Sequence, residues 1–269
     1  MYCLQREFDP VPALPSSPIG SAAIVHCTTP QGQKTARLIP LLSLVLGLSL
    51  LQALPAMADT DNDFQQWSLI FANHHLTDIW SASMQMENRL RDDASEVDKQ
   101  IFKPGGYYAF TDTLKLGVGY KYVKKKDSKD EQDPWQELFF NPGPIGNWDW
   151  AHQFRWEQRT GGGLDGIVHR LRYLLHLTHP LGDSGKYYLA AQEAVRFNAA
   201  SNDTGPVDGF EQSRLYFGVG RKMSKKWKVE VGYLWNYQRQ REGPNDSNHV
   251  LRLQFLFDTK GLHPWFAGS

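Results

Sequence analysis

Cysteine is absent from most of the chain, and its absence excludes one class of exported protein. The two cysteines, Cys3 and Cys27, both lie within the first 27 residues. Small secreted domains with little core depend on disulfides for stability. A disulfide framework is therefore excluded for the residues after Cys27, and an exported domain built from them must be stabilised by other means.

Net charge is also absent, because 29 Lys and Arg side chains balance 29 Asp and Glu side chains. Proteins that bind nucleic acid usually carry a basic surplus that neutralises phosphates. A nucleic acid is therefore not an expected partner. Beyond residue 58 the chain also lacks an apolar run long enough for a membrane-spanning helix.

The apolar run LIPLLSLVLGLSLLQAL, residues 38–54, has the layout of an export signal. Lys34 and Arg37 supply a basic segment before it, and Ala56 and Ala58 supply a small-residue cleavage pattern after it. This order predicts a secretory signal peptide that is cleaved after Ala58. A membrane anchor is the alternative, but proline, serine and glycine interrupt a run that is already short for a span.

The chain is therefore predicted to have two parts. Residues 1–58 are an N-terminal extension with the signal peptide, and residues 59–269 are a single exported domain. All nine tryptophans lie in that domain.

Alternation of apolar and polar side chains recurs along residues 59–269, and it is the pattern of β-strands. In WKVEVGYLWNY, which begins at Trp227, tryptophan, valine and tyrosine occupy one face, whereas Lys228, Glu230 and Asn236 occupy the other. Eleven segments share this pattern. They lie near residues 65–75, 80–91, 100–111, 114–124, 135–140, 148–159, 167–179, 187–199, 210–222, 227–240 and 248–258.

The connections between these segments alternate in length. HLTD, TDT, GDSG and MSKK are tight, whereas KKKDSKDEQDP, RTGGGLDG and AASNDTGPVD are long and polar. Short turns at one end and longer loops at the other are typical of bacterial outer-membrane barrels. A β-sandwich also has many short strands, but its loops need not alternate in this way.

We therefore predict an all-β fold, a single antiparallel, up-and-down transmembrane β-barrel of about 10–12 strands. Eleven is an unexpected count, because single-chain bacterial barrels usually have an even number of strands. Either GLHPWF adds a short strand, or the segment 135–140 is not part of the barrel.

Alternation alone does not say which face of each strand meets water. A soluble periplasmic barrel of the lipocalin type would place the apolar side chains inside, whereas a membrane barrel places them outside, against lipid. Glycine and mixed charges on the polar faces, with aromatic apolar faces, favour the membrane barrel. A girdle of aromatic residues at the membrane interfaces is then expected from Trp80, Tyr122, Trp227, Trp235 and Tyr237.

The stretch HQFRWEQRTGGG, residues 152–163, places charges on the face that a membrane barrel turns inward. If RTGGGLDG joins its two strands symmetrically, Glu157 lies opposite Arg170, and Arg155 lies opposite Arg172. Applied to the other segments, the same logic predicts a charge network in the lumen. Its members are Glu87, Arg89, Arg155, Glu157, Arg159, Arg170, Arg172, Glu193, Arg214, Glu230 and Arg252.

Two interpretations of this network remain open. Glu157 is expected to be shared by Arg155, Arg159, Arg170 and Arg172. In one interpretation the charges only satisfy each other, because buried charges need partners. In the other, the surplus of arginine forms a constriction that favours small anions, since the guanidinium group matches carboxylate and phosphate and rings of charge set selectivity in pores.

Catalysis and metal binding find little support in the sequence. A lipid-modifying enzyme would need a nucleophile close to a base, and the candidates His152, His169 and Ser213 are predicted to lie apart. The G-x-S-x-G motif of many hydrolases does not occur. Histidines that are close in sequence fall on opposite faces of a strand. We therefore expect no catalytic residue, no metal and no cofactor.

Four longer stretches carry a resemblance to a known family. They are NDFQQWSLIFANHHLTDIWSASMQMENRLRDD, FRWEQR, HRLRYLLHLTHPL and FEQSRLYFGVGRKMSKKWKVEVGYLWNYQRQREGPNDSNHVLRLQFLFD. Together, from Asp63 to Asp258, they resemble the bacterial domain of unknown function 2490. This resemblance implies an outer-membrane β-barrel and assigns no activity or catalytic residues. One departure is the C-terminus, where Phe257 is followed by DTKGLHPWFAGS, although the last strand of such barrels often closes the chain with an aromatic residue.

These features together predict an integral outer-membrane protein of a Gram-negative bacterium. Its expected partners are outer-membrane lipid and lipopolysaccharide and, during insertion, the barrel-assembly machinery. The expected role is a narrow pore or uptake channel whose arginine-rich lumen favours small anions. The alternatives are a non-conducting structural barrel, a lipid-modifying enzyme embedded in the barrel, and a soluble lipocalin-like barrel.

Overall fold

Twelve β-strands and no helix make up the part of the chain that the computed structural model describes, residues 60–200 and 205–262. The predicted cleavage site at Ala56 and Ala58 lies outside these residues. No helix within the described ranges has the length and apolar character needed to cross a membrane. The strands are β1 (Thr60–Asp61), β2 (Phe64–His75), β3 (Trp80–Arg91), β4 (Glu96–Ala109), β5 (Leu114–Lys125), β6 (Glu131–Phe140), β7 (Asp149–Gly161), β8 (Val168–Leu181), β9 (Tyr187–Ala200), β10 (Gly209–Lys222), β11 (Trp227–Gln238) and β12 (Asn245–Asp258).

The strands close into a barrel. From β2 to β12 each strand pairs antiparallel with the next one along the chain. β12 then returns to pair with β2, from His249 opposite Phe64 to Asp258 opposite Asn73, and this closing pair is parallel. The short β1 pairs with β12 beyond β2 along the same edge. The fold is therefore an all-β closed barrel of eleven strands, β2 to β12.

The odd number of strands explains the parallel pair. In a barrel of consecutive antiparallel strands, an odd count makes the first and last strands run in the same direction. The prediction of a fully antiparallel barrel was therefore wrong at the closing pair, although the count lies within the expected range. The segment 135–140 belongs to β6 and so to the barrel. Gly261 and Leu262, the described part of GLHPWF, form no strand.

The barrel has two ends. The loop end holds the connections 92–95, 126–130, 162–167 and 239–244 and the described residues 205–208, and the turn end holds 76–79, 110–113, 141–148, 182–186 and 223–226. The difference in length is smaller than predicted, partly because strands run on into charged stretches. Lys125 and Glu131, at the loop end of β5 and β6, form an ion pair that extends the hairpin between them.

Glycines on the inner face make room for aromatic rings. A methyl group added at Gly119 would lie 2.3 Å from the ring of Trp135, and one at Gly218 would lie 2.2 Å from the hydroxyl of Tyr216. The rings of Trp135 and Tyr216 therefore lie directly against the strand backbone. Two buried clusters inside the barrel contain these rings, and their members are Trp67, Tyr188, Ala190, Tyr216, Leu234 and Val250 in one, and Tyr107, Trp135 and Phe139 in the other.

Candidate functional site

The hairpin of β7 and β8 brings the predicted charges together. Arg155 pairs with Arg172 and Glu157 pairs with Arg170, which is the register expected from a symmetrical RTGGGLDG loop. All four side chains point into the barrel and are at most 5% exposed. Both strands alternate strictly, and no bulge lies between these positions. This register could therefore be predicted from the sequence.

Glu157 is the centre of an ion-pair network. Arg170 donates through Nε to Glu157 at 2.9 Å, Lys121 Nζ lies 3.4 Å from its carboxylate, and Arg155 Nη1 lies 3.5 Å away. Arg155 also donates to Glu137 at 2.5 Å. One carboxylate therefore serves three cations, which fixes β5, β7 and β8 relative to one another.

Two of the arginines expected to share Glu157 do not contact it, so this part of the prediction was wrong. Arg159 instead binds Glu131 at 2.8 Å and Glu211 at 3.2 Å. Arg172 is 2% exposed, and its Nε and Nη1 atoms are buried without a hydrogen-bond partner.

A β-bulge supplies a carboxylate that strict alternation misses. The pairing of β10 with β9 shifts between Phe210 and Gln212, and as a result both Glu211 and Gln212 are buried in the interior. Glu211 then accepts from Arg159 and, at 3.5 Å, from Arg170. Alternation counted back from Arg214 would have placed Glu211 on the outer face, and the sequence carries no signal for the bulge.

Glu193 was placed on the wrong face by the sequence. Its neighbours in β9, Gln192 and Ala194, are buried inside the barrel. The residues opposite Glu193 on the adjacent strands are Leu175 and Leu215, which belong to the outward-facing rows. Glu193 therefore lies on the outer face and is not part of the lumen network.

The other predicted members divide between two regions of the interior. Glu87 accepts from Arg89 at 2.7 Å, and the guanidinium groups of Arg89 and Arg214 lie 3.7 and 4.7 Å from the ring of Trp67. Arg252 donates to Gln192 at 3.2 Å. Glu230 accepts from Tyr188 at 2.7 Å and pairs with Lys228 at 3.2 Å.

An internal cavity of about 160 Å³ lies among the charges in the half of the barrel nearer the loop end, and we call it the basic chamber. Eleven cationic and four anionic side chains line it. Glu230 and Arg252 do not contribute to this lining, whereas several residues that the sequence analysis missed do. The lining charges are Arg89, Lys99, Lys103, Lys121, Lys125, Arg155, Arg159, Arg170, Arg172, Arg196 and Arg214, with Glu87, Glu131, Glu157 and Glu211.

The interior is tightly packed at the middle of the barrel. Trp135 and Tyr216 are each 1% exposed, and Leu174 is fully buried. Together with their two clusters, these side chains form an aromatic floor beneath the basic chamber. A second cavity, of about 390 Å³, lies towards the loop end and shares Arg89 and Arg214 with the basic chamber. The wider space is therefore on the loop side of the floor.

The expected girdle residues lie at both ends of the outer face. Trp80 is 50% exposed and packs on Tyr108 near the turn end, and Trp227 stacks on Phe257 at the same end. Tyr122, Trp235 and Tyr237 lie near the loop end of their strands. Tyr237 differs from the others, because it stacks on Phe210 and is only 6% exposed.

The candidate catalytic residues are not assembled into a site. His152 Nδ1 lies 2.9 Å from the hydroxyl of Tyr173, and Trp156 donates to His169 at 3.3 Å. Ser213 is on β10, and β9 separates it from His169 on β8. Among the described residues, no group of three or more histidine, cysteine or acidic side chains could hold a metal ion.

Comparison with protein families identifies the chain. The family described as Protein of unknown function (DUF2490) matches residues 64–248, which is more than half of the chain. The chain belongs to this family. The resemblance seen in the sequence is thus confirmed.

Other proteins share similarity with this DUF2490 member. An uncharacterised protein of Methylorubrum extorquens is 27% identical over 178 residues, which cover 64% of this chain and 78% of the relative. Among solved structures, the NanC porin aligns with a TM-score of 0.45 and 11% identity over 69% of this chain and 93% of its own. LpxR from Salmonella typhimurium aligns with a TM-score of 0.43 and 10% identity over 76% of this chain and 92% of its own.

Proposed function

We propose that this protein is an integral barrel of the outer membrane of a Gram-negative bacterium. The observation that carries the proposal is an outer face covered by apolar side chains on every strand of the barrel. One such residue from each strand is between 37% and 55% exposed. In chain order they are Ile70, Met86, Phe102, Val118, Leu138, Phe154, Leu171, Leu189, Phe217, Val231 and Leu251.

Lipid is the environment that suits a barrel with apolar side chains on its outer face and charged side chains in its interior. Soluble monomers rarely expose an apolar patch larger than a few hundred Å², and a soluble lipocalin-like barrel buries its apolar side chains. Here the buried interior contains Glu157 and Arg252, at 2% and 1% exposure. A closed barrel also satisfies its backbone hydrogen bonds internally, as the hydrocarbon core requires. In this setting, lipid and lipopolysaccharide surround the barrel, and the barrel-assembly machinery inserts it.

The lumen favours a narrow uptake channel for small anions. Eleven cations face four carboxylates around the basic chamber, and a charge surplus in a confined pore selects ions of the opposite sign. The aromatic floor under the chamber, with Trp135 and Tyr216 at 1% exposure, closes the path at rest. Passage therefore requires these rings to move.

A non-conducting barrel is the second candidate, and the aromatic floor is the observation that favours it. If the rings never move, the charges act only as a stabilising network. No catalytic role forms part of either candidate.

Planar-bilayer recording with purified protein distinguishes the candidates. The channel proposal expects a small conductance with anion permeability above cation permeability. Trp135→Ala with Tyr216→Ala opens the floor and increases the conductance, whereas the matched outer-face variant Phe154→Ala leaves it unchanged.

Three results count against specific parts of the proposal. Cation selectivity excludes the anion channel, and normal insertion without current in both the wild type and the floor variant establishes the non-conducting barrel. Recovery of the native protein from the soluble periplasmic fraction, without heat-dependent migration on detergent gels, excludes the membrane barrel.

A further inference from the structure

Three arginines from neighbouring strands converge in the basic chamber. Arg172 on β8 is directly opposite Arg196 on β9. Arg214 on β10 is opposite Ala194, two residues along β9 from Arg196. All three side chains line the chamber, and Arg172 and Arg214 are 2% and 5% exposed. Like charges are thus held together on one wall of the basic chamber.

Neutral amides hold two of these guanidinium groups in place. Arg196 donates to the side-chain carbonyl of Gln212, and Arg214 Nε donates to that of Asn236 at 2.9 Å. Gln212 in turn donates to Asn236 at 2.8 Å. This frame orients the arginines without neutralising them.

The carboxylates of the chamber are engaged by other cations. Glu157 pairs with Arg155, Arg170 and Lys121, and Glu211 pairs with Arg159 and Arg170. Within the described part of the chain, no carboxylate oxygen lies within 4.0 Å of a guanidinium nitrogen of the three arginines. A buried cation without a directly paired counter-ion is costly, so an anion bound among the three guanidinium groups would stabilise them.

We propose that Arg172, Arg196 and Arg214 form a binding site for a compact oxyanion dianion of the phosphate class. The planar guanidinium fork matches the oxygens of such groups bidentately. The Nε and Nη1 atoms of Arg172 are buried donors without a hydrogen-bond partner, and the basic chamber, with a volume of about 160 Å³, has room for a phosphate-sized group. In the membrane, an anion would reach this site through the proposed anion channel. Binding of the anion to the folded barrel does not itself require that channel to conduct.

The test is phosphate-dependent stability of the whole folded barrel in a zwitterionic detergent. Inorganic phosphate replaces chloride at constant ionic strength, and thermal unfolding is followed by circular dichroism. A ligand that binds only the folded state raises the unfolding midpoint, by several degrees for a concentration about 100 times the dissociation constant. The wild-type protein is expected to show this shift.

Arg172→Met is expected to lose the phosphate shift and, because an unpartnered buried charge is removed, to unfold at an equal or higher temperature without phosphate. Lys228→Met is the matched control, since Lys228 is an interior cation outside the chamber lining. It is expected to retain the shift. If Arg172→Met does not fold, Arg172→Lys keeps the charge but not the fork, and it is expected to lose most of the phosphate shift.

The proposed site is overturned if Arg172→Met shows a phosphate shift of wild-type size. If that variant does not fold, wild-type phosphate binding by Arg172→Lys overturns it. Loss of the shift in Lys228→Met also overturns it. Failure of the channel is separate from failure of the site. If the barrel binds phosphate but passes no current, the binding site is supported and the channel is excluded. If the wild type passes an anion-selective current but shows no phosphate shift, the channel is supported and the binding site is excluded.

Discussion

At the scale of single residues, the barrel interior is shaped by pairs in which the ring of one strand lies over a glycine of a nearby strand. Trp135 occupies the space over Gly119 and Gly105, and Tyr107 occupies the space over Gly117. The glycines on the polar faces are thus explained by packing rather than by chain flexibility. They allow large rings to share a lumen that is otherwise filled by arginine and lysine.

Gly119→Ala is expected to destabilise the barrel, because its Cβ would lie 2.3 Å from a Trp135 ring atom and 2.4 Å from the carbonyl oxygen of Pro104. Overpacking of this kind costs about 1–3 kcal/mol. The measurement is the free energy of unfolding in urea, followed by tryptophan fluorescence.

Gly106→Ala is the matched control for this substitution. Gly106 is also a strand glycine in the same part of the barrel, but the nearest atom to an added Cβ is 4.0 Å away. Its unfolding free energy is expected to stay the same or rise slightly, since glycine is a poor strand residue. Equal losses at Gly119 and Gly106 would contradict the packing explanation.

At the scale of elements, strict alternation decides what can be predicted from the sequence. Both strands of the β7–β8 hairpin alternate clearly and their loop is symmetrical, so the opposition of Glu157 and Arg170 follows from the sequence. β9 does not alternate clearly, because alanine lies on both of its faces. Glu193 was therefore assigned to the inner face only because it is charged. β10 contains a bulge that turns Glu211 inward, and a bulge depends on contacts with neighbouring strands.

Alternation alone did not give the burial direction, which was predicted from the glycines and charges of the polar faces, and the closing pair required the structure. The same alternating sequence suits a barrel that is apolar inside or apolar outside, because the period of two is identical. The partners of β2 and β12 are far apart in sequence, so no turn fixes their register. The register of the closing pair is set by the closure of the whole sheet.

The seam between β2 and β12 makes a specific prediction. Ser68 and Leu253 are opposite each other in the parallel register, so the pair Ser68→Cys with Leu253→Cys is expected to form a disulfide under mild oxidation. Because residues 59–269 contain no cysteine, no native thiol in this domain competes. Altered migration of the unfolded chain on a non-reducing gel is the measurement.

The control pair for the seam is Gln66→Cys with Phe257→Cys. Gln66 is opposite Leu251 and Phe257 is opposite Ala72, so these two cysteines are separated along the seam and are expected to remain reduced. Cross-linking of the control pair but not of Ser68 with Leu253 would show that the barrel closes in another register.

At the scale of the whole molecule, eleven strands place the start of β2 and the end of β12 at opposite ends of the barrel. Asn62, just before β2, lies at the loop end, and Lys260, just after β12, lies at the turn end beside Asp78. The basic chamber lies in the half of the barrel nearer the loop end, whereas the apolar outer face extends along every strand. Orientation in a membrane is therefore a separate question from fold.

Longer loops of outer-membrane barrels face the cell exterior, so Asn62→Cys is expected to react with a membrane-impermeant maleimide on intact cells. Lys260→Cys is expected to react only after lysis. Gel-shift labelling with a polyethylene-glycol maleimide measures both. The reverse labelling pattern would show that the barrel has the opposite orientation in the membrane. Labelling of both cysteine variants on intact cells would contradict a membrane-spanning fold.

The parallel seam also constrains the ancestry of the barrel. A barrel that grows by duplication of hairpins gains two strands at a time and keeps an even number. Eleven strands with a parallel closure cannot be reached by hairpin duplication alone from an even-numbered ancestor. From such an ancestor, at least one event must have added or removed a single strand.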